Sequence, residues 1–505
     1  MKAIARLENI ITQLEDSKIP FLYYILIFIS SLTLRNFLEI FSDTARVPFR
    51  LFPETSNIFF AASYSIAISF THYYVFWLFT FLALAIFFSL LTKTNIIVIL
   101  KTSFSFSLII TITPLFDLLI TKGKGWEIAY AHPKSIFELL PLPKILTPGM
   151  WVTALTAAFL TFVYCKIKTH KWTRGLWGVA ILYSLLTFLS ALPVVIRANH
   201  PLQIIRVLLI AIFFELIFIL FLVNKVHFKA VYKDLRWLRV IHYASMFFFG
   251  ILISRHALMK SIGANLPSFL LTVIAFILSW VGATMLNDVE DYKIDLRSNR
   301  DRALVNNVFS KSELISCSLW LFLAAAIFAL GVNFQTSFFT VLIIGNSCLY
   351  SLPPLRLKRV PIFSKLFIAF SSLALVILGY LFAGGEILQF PQVVTWYFII
   401  FVTLAMNLID LKDFEGDKQA GIKTLPVIFG ARKAKIATGI FLLTAYCALA
   451  LVLLDLRILL PAAILGVIQV ILINRKAFRE KWVLLTHLAG MIALFFYLNS
   501  SFWLK

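Results

Sequence analysis

About fifteen apolar stretches, each near the roughly 20 residues that carry a helix across a bilayer, follow one another along this chain. In hydrocarbon every backbone N–H and C=O needs a partner inside its own segment, and a helix supplies it. The pattern therefore predicts an all-α, polytopic membrane protein. Nine spans are expected after residue 235, near 237–254, 266–286, 315–332, 336–351, 364–383, 393–411, 436–454, 458–473 and 483–500. About six precede residue 225, near 20–38, 70–92, 95–120, 150–166, 175–196 and 203–224. Composition agrees. Of the 505 residues, 61% are hydrophobic and only 14% charged, against roughly 25% in a soluble protein. Mean hydropathy is +0.92. Fifty-one phenylalanines suit lipid-facing and bundle-core surfaces.

The net charge of +22 does not point to nucleic acid, because the basic residues sit in short loops between spans, where they act as topology signals beside anionic lipid. Cys165, Cys317, Cys348 and Cys447 are scattered without CxxC or CxxH spacing, so neither a disulfide framework nor a zinc site is expected. Residues 1–20 lack the short apolar core of a removable signal peptide. The basic stretch Asn224–Arg239 marks a boundary: residues 1–224 are expected as one membrane domain, 225–236 as a basic linker and 237–505 as a second domain.

Loop charges orient the second domain. Lys293, Arg297, Arg300 and Arg302, then Arg356, Lys358 and Arg359, then Arg432, Lys433 and Lys435, then Arg475, Lys476, Arg479 and Lys481 follow its even-numbered spans. The opposite loops hold only Arg255, Lys260, Arg457 and Lys505. The positive-inside bias makes the first set cytoplasmic. The expected location is a prokaryotic cell membrane with cytoplasmic site loops.

Two aspartate clusters end the second and sixth spans of this domain. Asp288, Asp291 and Asp295 are spaced i, i+3, i+7, and the spacing returns 122 residues later as Asp410, Asp413 and Asp417. On a continuous helix each set forms one stripe about 60° wide. Acids beside apolar spans are costly, and six in matched stripes are hard to read as ordinary loop starts. Like charges sharing a cavity also repel. A hard divalent cation answers both problems, and Mg²⁺ takes oxygen ligands from one or two carboxylates together with substrate phosphates. The repeat predicts two facing stripes with a diphosphate between them.

NDxxDxxxD at 287–295 and DxxDxxGD at 410–417 resemble the motifs of UbiA-type intramembrane prenyltransferases. YSLPPLRLK at 350–358 and GIKTLPV at 421–427, close behind Glu415-Gly416-Asp417, resemble further segments of that family. At 300–304 the chain reads RDRAL, with Ala303 where the family often has proline. The resemblance covers about residues 235–505. It implies a nine-helix bundle and an enzyme that uses Mg²⁺ to transfer a polyprenyl group from a prenyl diphosphate donor to a lipophilic acceptor of quinone-precursor, tetrapyrrole or lipid type. It implies Asp288, Asp291, Asp410 and Asp413 as catalytic metal ligands, and Asp295 and Asp417 as further metal-site members or partners of basic residues. Asn287, Arg300, Arg302, Tyr350, Arg356, Lys358 and Lys423 are the residues expected on the diphosphate. Any of these bases is otherwise an ordinary topology charge, and Tyr350 a buried tyrosine with its hydroxyl satisfied. Arg236 and Arg239 either approach the same face or anchor their helix. His242 and His256 read as structural. Asn407 lies one turn before Asp410.

A related alternative is phosphoribosyl transfer onto a polyprenyl phosphate. An alternative of another class is a cation-coupled transporter, which usually carries its acids near the midplane on broken helices. In residues 1–224 no comparable constellation stands out. Asp117 is expected to be a packing residue. Trp126, Glu127 and His132 have no ligand spacing, and the proline-rich segment 133–148 is a candidate cover for the bundle mouth. Lipid delivery, a partner protein or a scaffold role all remain open for this half.

Overall fold

The computed structural model describes residues 2–15, 18–42, 58–126, 130, 146–198, 200–254, 266–298, 301–419 and 421–503. Glu127, His132, Arg255, His256, Lys260 and Arg300 lie outside the described residues. Among the described residues every regular element is a helix. Thirteen of these helices are long and apolar enough to cross a membrane, or fourteen with one bent pair counted as a span. The chain is an all-α integral membrane protein, and it divides into two units, Met1–Lys225 and Val226–Lys505.

The first unit contains α1 (Phe21–Ser42), α2 (Ile58–Thr92), α3 (Ile96–Ile120), α4 (Pro148–Thr169), α5 (Trp172–Ser190) and α6 (Pro201–Val223). Helix α3 passes through a 3₁₀ stretch at Phe106–Thr111. Asp117 is a packing residue, as expected. Its carboxylate is fully buried and accepts from the Gly149 N–H at 2.7 Å and the Thr147 hydroxyl at 2.5 Å. Thr147 in turn caps α4, with Pro148 in the first turn where a missing N–H costs nothing. One feature of this unit escaped the sequence reading. Arg35 and Glu39 pair at 2.5 Å, both buried in the last third of an apolar span, and the guanidinium lies over the Tyr73 ring at 4.6 Å. An i, i+4 acid–base pair neutralises itself and draws little notice in a hydropathy scan.

The second unit begins with α7 (Lys225–Asp234), so most of the stretch expected as a linker is helical. It bends by 55° into α8 (Trp237–Ile253), a helix of 17 residues. Then come α9 (Leu266–Glu290), the short α10 (Tyr292–Ser298), α11 (Lys311–Leu330), α12 (Phe334–Ser351) and α13 (Phe363–Phe382). The unit closes with α14 (Gln392–Gln419), α15 (Ala431–Val452), α16 (Leu456–Asn474) and α17 (Glu480–Trp503). Helix α12 has 18 residues and is too polar to count among the thirteen apolar spans, because Thr336, Ser337, Thr340, Asn346 and Ser351 are buried inside the unit. Helix α11 opens with a capping box between Ser310 and Glu313. Helices α8 and α13 cross at two glycines. A Cβ on Gly250 would lie 1.9 Å from the Val376 carbonyl oxygen, and one on Gly379 would lie 1.9 Å from that of Phe247. Only a residue without a side chain lets two backbones approach so closely.

Two departures from regular helix bear on the aspartates. Helix α9 stops at Glu290 and Asp291 sits in a turn, so the first cluster is not one stripe on one helix as expected. The chain resumes as α10, with the Asp295 N–H bonded to the Asp291 carbonyl at 2.9 Å. The second cluster does share one helical segment, Asp410–Gln419, at the end of a span longer than the 393–411 expected. Just upstream, Phe398–Val402 form a π turn and Met406–Ile409 a 3₁₀ turn. Under-winding followed by over-winding resets which face the next residues present.

Candidate active site

Both clusters line one cavity of about 670 Å³ in the second unit. Asp288, Asp291, Asp295, Asp410, Asp413 and Asp417 all contribute to it, as do Asn287, Arg302, Tyr350, Arg356 and Lys358. Its elements come from distant parts of the chain, with α10 packed against the Asp410–Gln419 segment.

Two acids of the first cluster, Asp288 and Asp291, meet bases. The buried Asp288 accepts from Arg236 at 2.8 Å and has the Arg302 Nε 3.9 Å away. Asp291 accepts from Arg356 at 2.8 Å and from the Lys358 ammonium at 2.7 Å. Asn287 ties this corner together. Its Oδ1 accepts from Lys358 at 2.7 Å and from the Ser351 hydroxyl at 3.2 Å, while its Nδ2 donates to Asp291 at 2.9 Å. Burial pushes the Lys358 ammonium below the usual lysine range, and Asp291 beside it pulls the other way. Arg236 and Arg356 hold their positions at φ of 51° and 42°, a left-handed conformation that costs a residue with a Cβ on the order of 1 kcal/mol.

The second cluster is held differently. Asp410 pairs with Lys365, and both side chains are buried. Glu480, at the start of α17, accepts from Arg239 at 2.7 Å and from Lys412 at 3.0 Å, closing the cavity beside Asp413. In all, eight acids and eight bases (Arg236, Arg239, Arg302, Arg356, Lys358, Arg359, Lys365 and Lys412) line one space. Among the described residues no three His, Cys, Asp or Glu side chains converge closely enough to hold an ion. Asp288, Asp291, Asp410 and Glu480 are engaged instead with lysines and arginines of the same cavity.

Away from the charges the cavity wall is mostly apolar, with a few neutral polar side chains such as Asn346 and Ser347. Arg236 lines the cavity just ahead of α8, and on α8 Arg239, His242, Tyr243, Met246 and Phe249 form a face running about 15 Å along the axis. Phe398, Val402, Leu442, Leu449 and Met491 line it further. One end is therefore dense with charge and the rest accepts hydrocarbon.

One residue expected on the diphosphate stands apart from the cavity. Lys423 is exposed and does not line the cavity, whereas Ile422 and Thr424 on either side of it do. The Thr424 N–H bonds back to the Ile422 carbonyl at 3.0 Å, so Lys423 sits at the tip of a three-residue turn. Asn407 is not a partner of the second cluster either, for its amide donates to the Leu404 carbonyl at 2.8 Å, outside the cavity. The irregular turns on both sides of it shift the register that would make it a counterpart of Asn287. Lys365, Lys412 and Glu480 were missed. The signal for Lys365 was a lone lysine in the first turn of an apolar helix, which reads equally as a snorkelling topology charge.

The fold and the site define a class: a polytopic α-helical membrane protein whose two carboxylate clusters meet at the mouth of one apolar cavity. A sequence profile of the UbiA prenyltransferase family matches residues 246–505, just over half of the chain. The chain belongs to the UbiA prenyltransferase family. The match does not extend into the first unit. Proteins named digeranylgeranylglyceryl phosphate synthase are similar to it. The one from Methanobrevibacter smithii is 27% identical over 36% of this chain and 64% of its own length. The one from Methanoculleus marisnigri is 32% identical over 36% of this chain and 62% of its own. The chain thus spans less than two thirds of these relatives. A solved structure of a UbiA homologue from Archaeoglobus fulgidus, bound to DMAPP and Mg²⁺, aligns with 54% of this chain and 98% of that one at 16% identity and a TM-score of 0.43.

Proposed function

We propose that the second unit transfers a polyprenyl group from a prenyl diphosphate to a lipophilic acceptor within the membrane. The observation that carries this reading is the joining of two carboxylate clusters and their bases to a long apolar channel in one cavity. A substrate with a charged head and a hydrocarbon tail matches that division. Family membership supports it, and so do relatives whose names specify two geranylgeranyl groups on a glyceryl phosphate. Those names favour, among the lipophilic acceptors, a glyceryl lipid with a free hydroxyl.

Mg²⁺ fits the donor chemistry, since the clusters offer hard carboxylate and amide oxygens and no sulfur. Asp288, Asp291, Asp410 and Asp413 would hold it, with Asp295 and Asp417 beside them. Bound there, the metal would supply positive charge to the departing diphosphate. The chain's own residues do the rest. Arg236, Arg302, Arg356, Lys358 and Lys365 rest on aspartates and line the cavity that would take the phosphate. Arginine can grip it with two parallel hydrogen bonds. Such donors stabilise negative charge as the allylic C–O bond breaks. The apolar wall keeps water from the developing carbocation.

The test is incubation of the purified protein with Mg²⁺, geranylgeranyl diphosphate and a glyceryl ether phosphate bearing one free hydroxyl, with products read by mass spectrometry. Transfer should stop with EDTA and return with Mg²⁺. Asp288→Asn and Asp410→Asn should each abolish it while the protein stays monodisperse. Turnover retained in both variants sinks the assignment. Diphosphate untouched while cations cross proteoliposomes would favour transport instead.

A further inference from the structure

Below the charged end, the cavity wall carries a second polar cluster that the diphosphate does not need. His242 lies one turn beyond Arg239 on α8, and His487 lies two turns beyond Glu480 on α17. Arg239 and Glu480 are paired at 2.7 Å, so the two imidazoles face the cavity beneath that pair, their ring centroids 5.0 Å apart. Their surroundings, Met246, Leu484 and Met491, are apolar.

A hydrogen-bond chain fixes one of the two rings. Gln469 on α16 is completely buried, and its amide nitrogen donates to the Val483 carbonyl at 3.0 Å and to the Tyr446 hydroxyl oxygen at 3.4 Å. Both amide protons are then used, and the Tyr446 oxygen already accepts one bond. The remaining bond joins that hydroxyl to the His487 Nδ1, 2.8 Å away, and we assign the hydroxyl as its donor. A neutral imidazole that accepts at Nδ1 carries its proton on Nε2. That Nε2 has no hydrogen-bond partner, and neither has the Nδ1 of the adjacent His242; both are closed off from water. Buried polar atoms are rarely left so, and two on adjacent rings in the wall of one cavity point to a binding site for a polar group.

We infer that the His242–His487 pair receives the hydroxyl of the acceptor. The inference rests on the prenyl-transfer reading above and narrows the acceptor to an alcohol. A hydroxyl oxygen accepts from the His487 Nε2–H and donates to the His242 Nδ1, so one atom satisfies both orphans. A reacting aromatic carbon satisfies neither. In the transfer the acceptor oxygen bonds to the allylic carbon. The bond from that carbon to the diphosphate oxygen breaks, its electron pair leaving on the diphosphate. The hydroxyl proton passes to the His242 Nδ1. The location agrees, for the pair sits between the ionic end that takes the diphosphate and the apolar channel that takes the chain.

Two measurements on the full-length protein in nanodiscs test this separately. Equilibrium binding compares a monoprenyl glyceryl ether phosphate bearing one free hydroxyl with its deoxy analogue, and steady-state turnover gives the KM of acceptor and donor. The wild type should bind the alcohol about tenfold more tightly than the deoxy compound, the worth of a well-made hydrogen bond to a buried group. His242→Leu and His487→Leu should erase that preference and raise the acceptor KM by a similar factor, leaving the donor KM unchanged. Tyr446→Phe, which removes only the hydroxyl that sets the His487 tautomer and keeps the packing ring, should reduce the preference in the same direction. An alcohol preference unchanged in these variants overturns the inference, as does a wild type without one. Loss of preference in a protein that never consumes prenyl diphosphate would instead overturn the transfer reading and leave the alcohol site standing.

Discussion

Lys365→Met separates the ion pair from everything else that Lys365 does. The methionine keeps the unbranched stem and its apolar contacts while removing the ammonium. Lys365 and Asp410 have side chains only 6% and 10% exposed, the most enclosed ion pair among the described residues of the second unit. Little water screens them, so the relevant magnitude is that of stranding a buried charge, about 3–5 kcal/mol. If Asp410 holds a divalent cation, that ion replaces the missing ammonium. At 100 times its Kd a ligand specific for the folded state adds about 2.7 kcal/mol, nearly all of the deficit at its lower bound and about half at its upper bound. In the wild type the ammonium competes with the ion for the same carboxylate, so the response should be smaller. The assay is unfolding of the detergent-solubilised protein, followed by tryptophan fluorescence, in EDTA and in Mg²⁺. K365M should unfold well before the wild type in EDTA and recover much of the gap in Mg²⁺, and adding Asp410→Asn should remove that recovery. Equal midpoints in EDTA, or the same Mg²⁺ shift in every variant, would refute the reasoning.

The two lysines of the basic loops should part company in turnover assays. Lys358→Ala, which loses bonds to Asn287 and Asp291 in the cavity, should cost on the order of 10²-fold, whereas Lys423→Ala should stay within about twofold. At the crossing of α8 and α13, Gly379→Ala puts a methyl group against a backbone carbonyl that cannot swing aside, so a loss of about 1–3 kcal/mol is expected in the same unfolding assay. Gly345→Ala, with nothing within 4 Å of the added carbon, is the control and should be neutral or slightly stabilising.

What the sequence made legible was whatever hydrocarbon makes expensive. Runs of about 20 apolar residues have one inexpensive outcome, and the helices stand close to where hydropathy put them. Asp288 and Asp410 stood out because acids beside such runs need a reason. The exceptions trace to interactions between segments. Asp291 falls in a turn because α9 ends one residue earlier, and no periodicity in the aspartates marks that end. Asn407 faces away because of π and 3₁₀ turns in an uninterrupted apolar run. Lys365 and Glu480 look like topology residues until the bundle brings them to Asp410 and Arg239. His242 read as structural because its ring has no chemical neighbour in sequence; His487 comes to face it from α17.

The lengths of α8 and α12 bear on the lipid around the protein. At 17 and 18 residues they rise about 26 and 27 Å, short of a hydrocarbon core near 30 Å. Both contribute to the cavity wall, so the shortfall lies beside the site. A bilayer meets short helices by thinning, at a fraction of a kcal/mol per ångström. Membrane thickness then becomes a variable of the reaction: bilayers of shorter acyl chains should relieve the strain next to the cavity, and thicker ones should add to it.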